Sequence, residues 1–376
     1  MMRMQKAALA GILFASLLVT AASDAAGKPH ARRHSPLLRR TSTAEPAAAP
    51  VRDTAFRGLY VRGETAARPT FPAFLERAAA HGLNAIVLDV KDYDGLLTYP
   101  SRVPLAQSEG ILKSPPIASY AAAVRMAHEK GLEVVARISC FHDEAMAKAH
   151  PGMAVRGISG HVYRNGWLDP KNENAQAYTL DLVREAIAAG ADEIQLDYVR
   201  YPVTNIKLMD FGLDLKANPR AKVDVITRFV ERAHAITRAR GVRLSLDIFG
   251  VVALGRREDI ENLGQDPAEL GKHCDVLSPM VYPSHYDEGF NGWENPGDHP
   301  EIVGMGTKGV LEVVATGGGR AKVRPWLQAM NHKSPTYGPE YIQKEIRSSD
   351  ASGGTGWLLW NPGQNYEVSW RALPKR

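Results

Sequence analysis

The chain has 376 residues, 44% hydrophobic and 23% charged, ordinary proportions for a globular protein. Six Trp, 13 Tyr and 9 Phe exclude a mainly disordered chain, and two Cys exclude a disulfide framework. The whole net charge of +5 falls within the first 50 residues, so the rest sums to zero and offers no field for a nucleic-acid partner.

Residues 1–27 have the layout of a secretory signal peptide. Arg3 and Lys6 open it, Ala7 to Ala22 is an uncharged apolar run, and small residues follow in Ala21-Ala22-Ser23 and Ala25-Ala26-Gly27. The run is short for a membrane span, which needs about 20 apolar residues. The expectation is an exported, periplasmic or extracellular protein with no stable span after cleavage; an uncleaved anchor is the rival. Residues 28–52 read as a basic Pro/Ala-rich linker interrupted by Pro29, Pro36, Pro46 and Pro50.

Residues 53–376 read as one domain in which short apolar strands alternate with helical stretches, the pattern of a parallel sheet. Eight strands are predicted, over Arg57–Arg62, Ala85–Lys91, Glu133–Ser139, Glu193–Val199, Arg243–Phe249, Val276–Tyr282, Val323–Met330 and Thr355–Trp360. A helix starts at Thr70-Phe71-Pro72 with Thr70 as cap and ends at Gly82. Others over Tyr120–Lys130, Asn174–Ala189 and Val223–Arg240 end at Gly131, Gly190 and Gly241. This helix–Gly–strand join, with longer loops after the strands, predicts a (β/α)8 barrel, α/β class. Only 16 residues follow Trp360, so the eighth helix must be short. A doubly wound sheet is the alternative fold, but no GxGxxG turn follows the first strand.

Alternate residues of a strand share a face. With Ile194, Leu196, Leu244, Leu246 and Ile248 turned toward the helices, Gln195, Asp197, Ser245 and Asp247 point into the barrel. The same parity turns Asp89, Arg137, Ser139 and Gln328 inward. Barrel interiors are ordinarily filled by branched apolar residues, and a buried polar group without a partner costs about 1–3 kcal/mol. Polar groups at the tops of several strands therefore mark a site, with a structural network of Arg137 with Asp89 or Asp197 as the competing reading.

Paired carboxylates such as Asp197 and Asp247 supply the proton donor and the nucleophile or base that acetal cleavage needs, since neighbours can split their pKa values. Carboxylates could instead hold Mg²⁺ or Ca²⁺. His142, His161, His273 and His285 are scattered, without HxH or HExxH, and GxSxG is absent. No metal or cofactor is expected. Asp89 and Asp92 are reserve acids. Arg137, Arg200, Gln328, Tyr282 and His285 are candidates for positioning a sugar.

Aromatic residues in or just after strands, among them Tyr198, Tyr201, Tyr282, Tyr286, Trp293 and Trp360, suit stacking on sugar faces. Trp326 and Trp357 are expected in core packing. Gly250, after Asp247, serves either a turn or the close approach of a ligand. Cys140 and Cys274 fall at opposite ends of the barrel, too far apart to bridge.

Several stretches resemble a bacterial domain family of glycoside-hydrolase type, distantly related to the α-amylase-type barrels. They are Arg57-Gly-Leu-Tyr-Val, Ala85-Ile-Val-Leu-Asp-Val-Lys-Asp92, Asp192-Glu-Ile-Gln-Leu-Asp-Tyr-Val-Arg-Tyr-Pro202, Asp247-Ile-Phe-Gly250, Asp275-Val-Leu-Ser-Pro-Met-Val-Tyr-Pro-Ser-His-Tyr286, Arg324-Pro-Trp-Leu-Gln328 and Gly356-Trp-Leu-Leu-Trp-Asn-Pro362. The resemblance implies a barrel and a hydrolase. In amylase-type barrels the acid ending strand four is the nucleophile, which here is Asp197. Their acid/base is a Glu ending strand five, where this chain has Asp247, and their Arg two residues before the nucleophile is here Gln195. The function expected is an exported glycosidase acting on a polysaccharide or oligosaccharide of the envelope or exopolysaccharide. The alternatives are a non-catalytic carbohydrate-binding or envelope-assembly protein on the same scaffold and a carboxylate-metal hydrolase.

Overall fold

In a computed structural model of the protein, the four predicted helix stops, Gly82, Gly131, Gly190 and Gly241, all adopt positive φ of 65° to 98°. Each follows the C-cap of a helix, and a strand begins within a few residues. This left-handed stop costs a glycine nothing, and it turns the chain back beneath the sheet. The structure describes residues 55–108, 111–163 and 165–375. The predicted signal peptide and linker lie outside them. No helix among the described residues is long and apolar enough to cross a membrane.

Eight parallel strands follow: β1 (Phe56–Val61), β2 (Ala85–Lys91), β3 (Glu133–Ser139), β4 (Glu193–Asp197), β5 (Arg243–Phe249), β6 (Val276–Met280), β7 (Lys322–Val323 and Trp326–Gln328) and β8 (Gly356–Trp360). They pair in the order β7-β8-β1-β2-β3-β4-β5-β6, and β6 closes on β7 through Leu277 beside Val323 and Met280 beside Trp326. The result is a (β/α)8 barrel. The helices Phe71–Ala80, Tyr120–Glu129, Glu173–Ala188, Ala221–Arg238, Ile302–Thr316 and Pro339–Ala351 are the long ones outside it, and Glu367–Ala372 is the short eighth.

Three strands are shorter than the sequence suggests, each for a local reason. β4 ends at Asp197 because Tyr198 turns into the left-handed region, φ 49°. β6 ends at Met280, short of Tyr282-Pro283. β7 is split at Arg324-Pro325, where proline has no N–H for the ladder. Thr70 makes no side-chain cap bond, and Pro72 alone marks that helix start.

The strand parity holds. Leu59, Ile86, Leu88, Val134, Ile194, Leu196, Leu244, Leu246 and Leu327 are fully buried in the large core between sheet and helices. Tyr60, Val87, Val135, Trp326 and Leu358 form a smaller cluster inside the barrel, with Phe56, Met280 and Trp360 against it. Below this apolar layer, at the N-terminal end, Arg324 pairs with the fully buried Glu193, and Arg243 bridges Glu193 at 3.0 Å and Glu133. Arg324 also stacks over Phe56 at 3.9 Å. The two guanidiniums hold the Glu193 carboxyl down to about 2, against the desolvation that would raise it. The floor of the barrel is thus ionic and closed, and the mouth is the accessible end.

Candidate active site at the barrel mouth

Arg137, near the top of β3, gathers the acids of three neighbouring strands. Its Nη1 donates to Asp89 Oδ1 on β2 at 2.6 Å, while Nε and Nη2 donate to Asp197 Oδ2 on β4 at 3.1 and 2.5 Å. Asp247 Oδ2 on β5 lies 3.9 Å from the same Nε. The Oδ2 atoms of Asp197 and Asp247 are therefore no more than 7.0 Å apart, the sum of their distances to Arg137 Nε. The register explains the convergence, because Asp89 sits level with Arg137, and Asp197 with Ser139 one step above.

Both Asp197 oxygens are held. Oδ1 accepts from the backbone N–H of Tyr198 at 2.6 Å, which the left-handed φ of Tyr198 turns toward it. A tyrosine in that region stores strain of order 1 kcal/mol or more, and such outliers concentrate at functional sites.

Asp247 is placed differently. It is 1% exposed. Its Oδ1 accepts from Trp326 Nε1 on β7 at 2.7 Å, and its Oδ2 has no hydrogen-bond partner. Desolvation first, and the adjacent Asp197 second, push its carboxyl well above the usual carboxylate range, outweighing Arg137 and the Trp326 bond. The two strand-end acids thus have unlike surroundings: one tied into a guanidinium, the other buried, biased toward its neutral form and free at one oxygen. Such a pair can donate a proton from one member while the other acts as a base or nucleophile.

The mouth opens on a cavity of about 220 Å³ walled by Arg137, Asp197, Arg200, Asp247, Tyr282, His285 and Trp360, all candidates from the sequence, together with Tyr198, Phe249, Tyr286 and Trp326. Trp360 stacks on Tyr60 at 4.2 Å, and Trp326 meets Trp360 edge-on at 5.6 Å. His285, at the exposed rim, contacts Tyr282.

Five candidates do not reach that wall. Tyr201 is fully buried against Phe211, and Trp293 stacks on His299 at 3.9 Å. Asp89 lies beneath it, 1% exposed, bound by Arg137 and by the Tyr60 hydroxyl at 2.5 Å. Asp92 caps its own turn, accepting from Asp94 N and Leu96 N, and burial raises its carboxyl to about 6. Gln328 spends its amide on the surrounding loops, accepting from Ser284 N and donating to Met330 O, His332 O and Ser334 Oγ. It fixes the loop carrying His285 rather than facing the cavity. Gly250 lines the cavity and also lets Met280 approach, since a Cβ there would lie 2.6 Å from Met280 O.

Trp326 corrects an expectation. It is buried as core packing requires, but its indole N–H is spent on Asp247. Parity could have found it, since Trp326 shares a face with Gln328 on β7. Tyr60 had the same signal on β1. Lys91 went the other way. A bulge between Asp89 and Lys91 turns it out of the barrel, to pair with the buried Asp143 at 2.6 Å. Trp357 lies in the outer core, and both cysteines are buried and free.

Comparison with known proteins agrees with this architecture. The model of a family described as "Putative glycosyl hydrolase domain" matches residues 58–366. Among solved structures, a hypothetical protein from Ruminiclostridium thermocellum ATCC 27405 is 31% identical, covering 50% of this chain and 96% of its own, at a TM-score of 0.44. The glycoside hydrolase domain of PgaB (BpsB) from Bordetella bronchiseptica is 14% identical over 86% of this chain and 99% of its own, at a TM-score of 0.62. The catalytic domain of β-amylase from Paenibacillus polymyxa is 14% identical over 85% of this chain and 95% of its own, at 0.56. At such identities the last two show a shared fold. No curated protein matches the sequence.

Proposed function

Because the chain belongs to this glycosyl hydrolase family, we propose that it is a glycosidase that cleaves a polysaccharide or oligosaccharide with Asp247 as proton donor and Asp197 as nucleophile or base. One observation carries the reading: the unlike surroundings of two strand-end acids that share one cavity wall.

The chemistry follows from the placement. A glycosidic oxygen must gain a proton as its bond to the anomeric carbon breaks. Asp247 has Oδ2 unbonded and its carboxyl biased toward the neutral form. The positive charge that develops at the anomeric carbon needs an anion beside it, and Asp197, fixed by Arg137 and Tyr198 N, is that anion. Trp360 and Tyr282 line the cavity with aromatic surface suited to the apolar side of a pyranose. Arg137 meets three acids where a metal ion would otherwise balance them, so the reading needs no cation other than this guanidinium. The N-terminal pattern of Arg3, Lys6 and the apolar run supports action outside the cytoplasm, on envelope or secreted glycans.

The test is release of reducing ends from a panel of bacterial polysaccharides by the wild-type protein, Asp197→Asn and Asp247→Asn. Activity in the wild type alone supports both roles. Equal activity in a variant removes that residue from the mechanism. Binding without cleavage by any of the three favours the carbohydrate-binding reading.

A further inference from the structure

Two guanidinium groups share the mouth, and they differ in their counter-ions. Arg137 lies over the rings of Tyr60 and Trp360 but faces three acids. Arg200 is 7% exposed and has no carboxylate within 4.0 Å among the described residues. Its Nη1 donates to the carbonyl of Tyr201 at 3.0 Å; its Nε and Nη2 donate to nothing among the described residues. Asp197, whose field it feels, is already bonded to Arg137.

The rest of its environment is aromatic. The rings of Trp167, Phe249 and Tyr198 lie 4.9, 4.9 and 5.3 Å from Cζ. These faces attract the cation but accept its N–H protons poorly. They hold the guanidinium in place, and the side chain forms part of the wall that Asp197 and Asp247 share. Nε–H and Nη2–H point along one edge of a guanidinium, the edge that takes a carboxylate in two parallel bonds. Burying a cation without a counter-ion is costly, and a site that keeps one is incomplete until its ligand brings the anion.

We propose that Arg200 reads a carboxylate on the substrate, so that the glycan cleaved here is an acidic one whose sugar in the mouth is a uronic acid or a similarly carboxylated residue. This deepens the glycosidase reading and rests on it for the position of the sugar. With the anion bound, Arg200 gains the partner that Arg137 already has, and the ring carrying it is anchored against the two acids.

The experiment measures binding without turnover. Immobilised wild-type protein, Arg200→Gln and Arg200→Lys are titrated with polygalacturonate, alginate and hyaluronan, with the same polymers after their carboxyls are reduced to primary alcohols, and with dextran sulfate. The wild type is expected to bind a carboxylated polymer at least about tenfold more tightly than its reduced form, since a buried charged group left unpaired discriminates strongly. Arg200→Gln should erase that preference. Arg200→Lys, which keeps the charge without the fork, should retain part of it, and it is the fallback if the Gln variant does not fold. Equal affinity for both forms, binding to none of the carboxylated polymers, tightest binding to dextran sulfate, or a preference that survives Arg200→Gln would each overturn the proposal. Preference for carboxylated polymers without any release of reducing ends would sink the hydrolase reading and leave only the carboxylate contact of Arg200 standing. Cleavage of neutral glycans without preference would do the reverse.

Discussion

Trp326 reaches across the barrel from β7 to donate its indole N–H to Asp247 Oδ1 on β5, at 2.7 Å. The bond leaves Oδ2 as the oxygen able to carry and deliver a proton. It also favours the ionised carboxylate, opposing the desolvation and the Asp197 charge that favour the neutral acid. Trp326→Phe keeps most of the ring and removes the donor. Its expected effect is to move the alkaline limb of the pH–activity profile to higher pH, with a lower maximal rate. A limb that stays in place or moves down contradicts this role for the indole.

Asp247 also governs stability. An acid whose folded pKa is raised favours the fold most below its unfolded pKa, near the ordinary aspartate value of 3.8, and loses that contribution as pH rises toward the folded value. Asp247→Asn removes the slope. Urea midpoints for the wild type and this variant should diverge as pH rises, with the variant the more stable at neutral pH and its hydrolysis down by about 10²–10⁴.

Arg137 carries the opposite balance. Replacing it by Met leaves Asp89 and Asp197 buried without their cation, a change that costs about 3–5 kcal/mol in comparable buried pairs. Equilibrium unfolding at pH 7 reads this directly. A variant as stable as the wild type would mean that solvent or protonation satisfies these acids without Arg137.

The barrel floor is a separate test with the reverse pH sign. Glu193 is held at about 2 by Arg324 and Arg243, so its contribution is full above its unfolded pKa and fades as pH falls from about 4.5 toward 2. Glu193→Gln is expected to cost about 3 kcal/mol at pH 7, with the gap to wild type closing as the medium is acidified. A pH-independent gap would assign the loss to packing instead.

The outer half of this architecture was legible from the sequence. Strand parity placed Asp89, Arg137, Asp197 and Asp247 inside, and the helix-stopping glycines fixed the repeat. It failed where backbone geometry breaks the period. The bulge after Asp89 turns Lys91 out of the barrel, and the left-handed Tyr198 ends β4 at the acid it bonds. Side-chain destinations were harder. Gln328 faces inward as parity demands, yet four bonds to loop groups consume it. Trp326 looks like core by composition, and its polar function lies in one N–H. The floor network of Glu193, Arg243 and Arg324 joins the first residues of β4 and β5 to the break in β7, a convergence that only barrel closure reveals.

The whole account turns on one proton, which it assigns to Asp247 in the resting protein. Carboxyl ¹³C NMR of protein labelled at aspartate, compared with Asp247→Asn at pH 7, measures it directly. The account predicts that the resonance missing from the variant sits at the protonated position in the wild type and moves to the ionised position only well above the usual carboxylate range. A resonance at the ionised position at pH 7 would contradict it and deny Asp247 the part of proton donor.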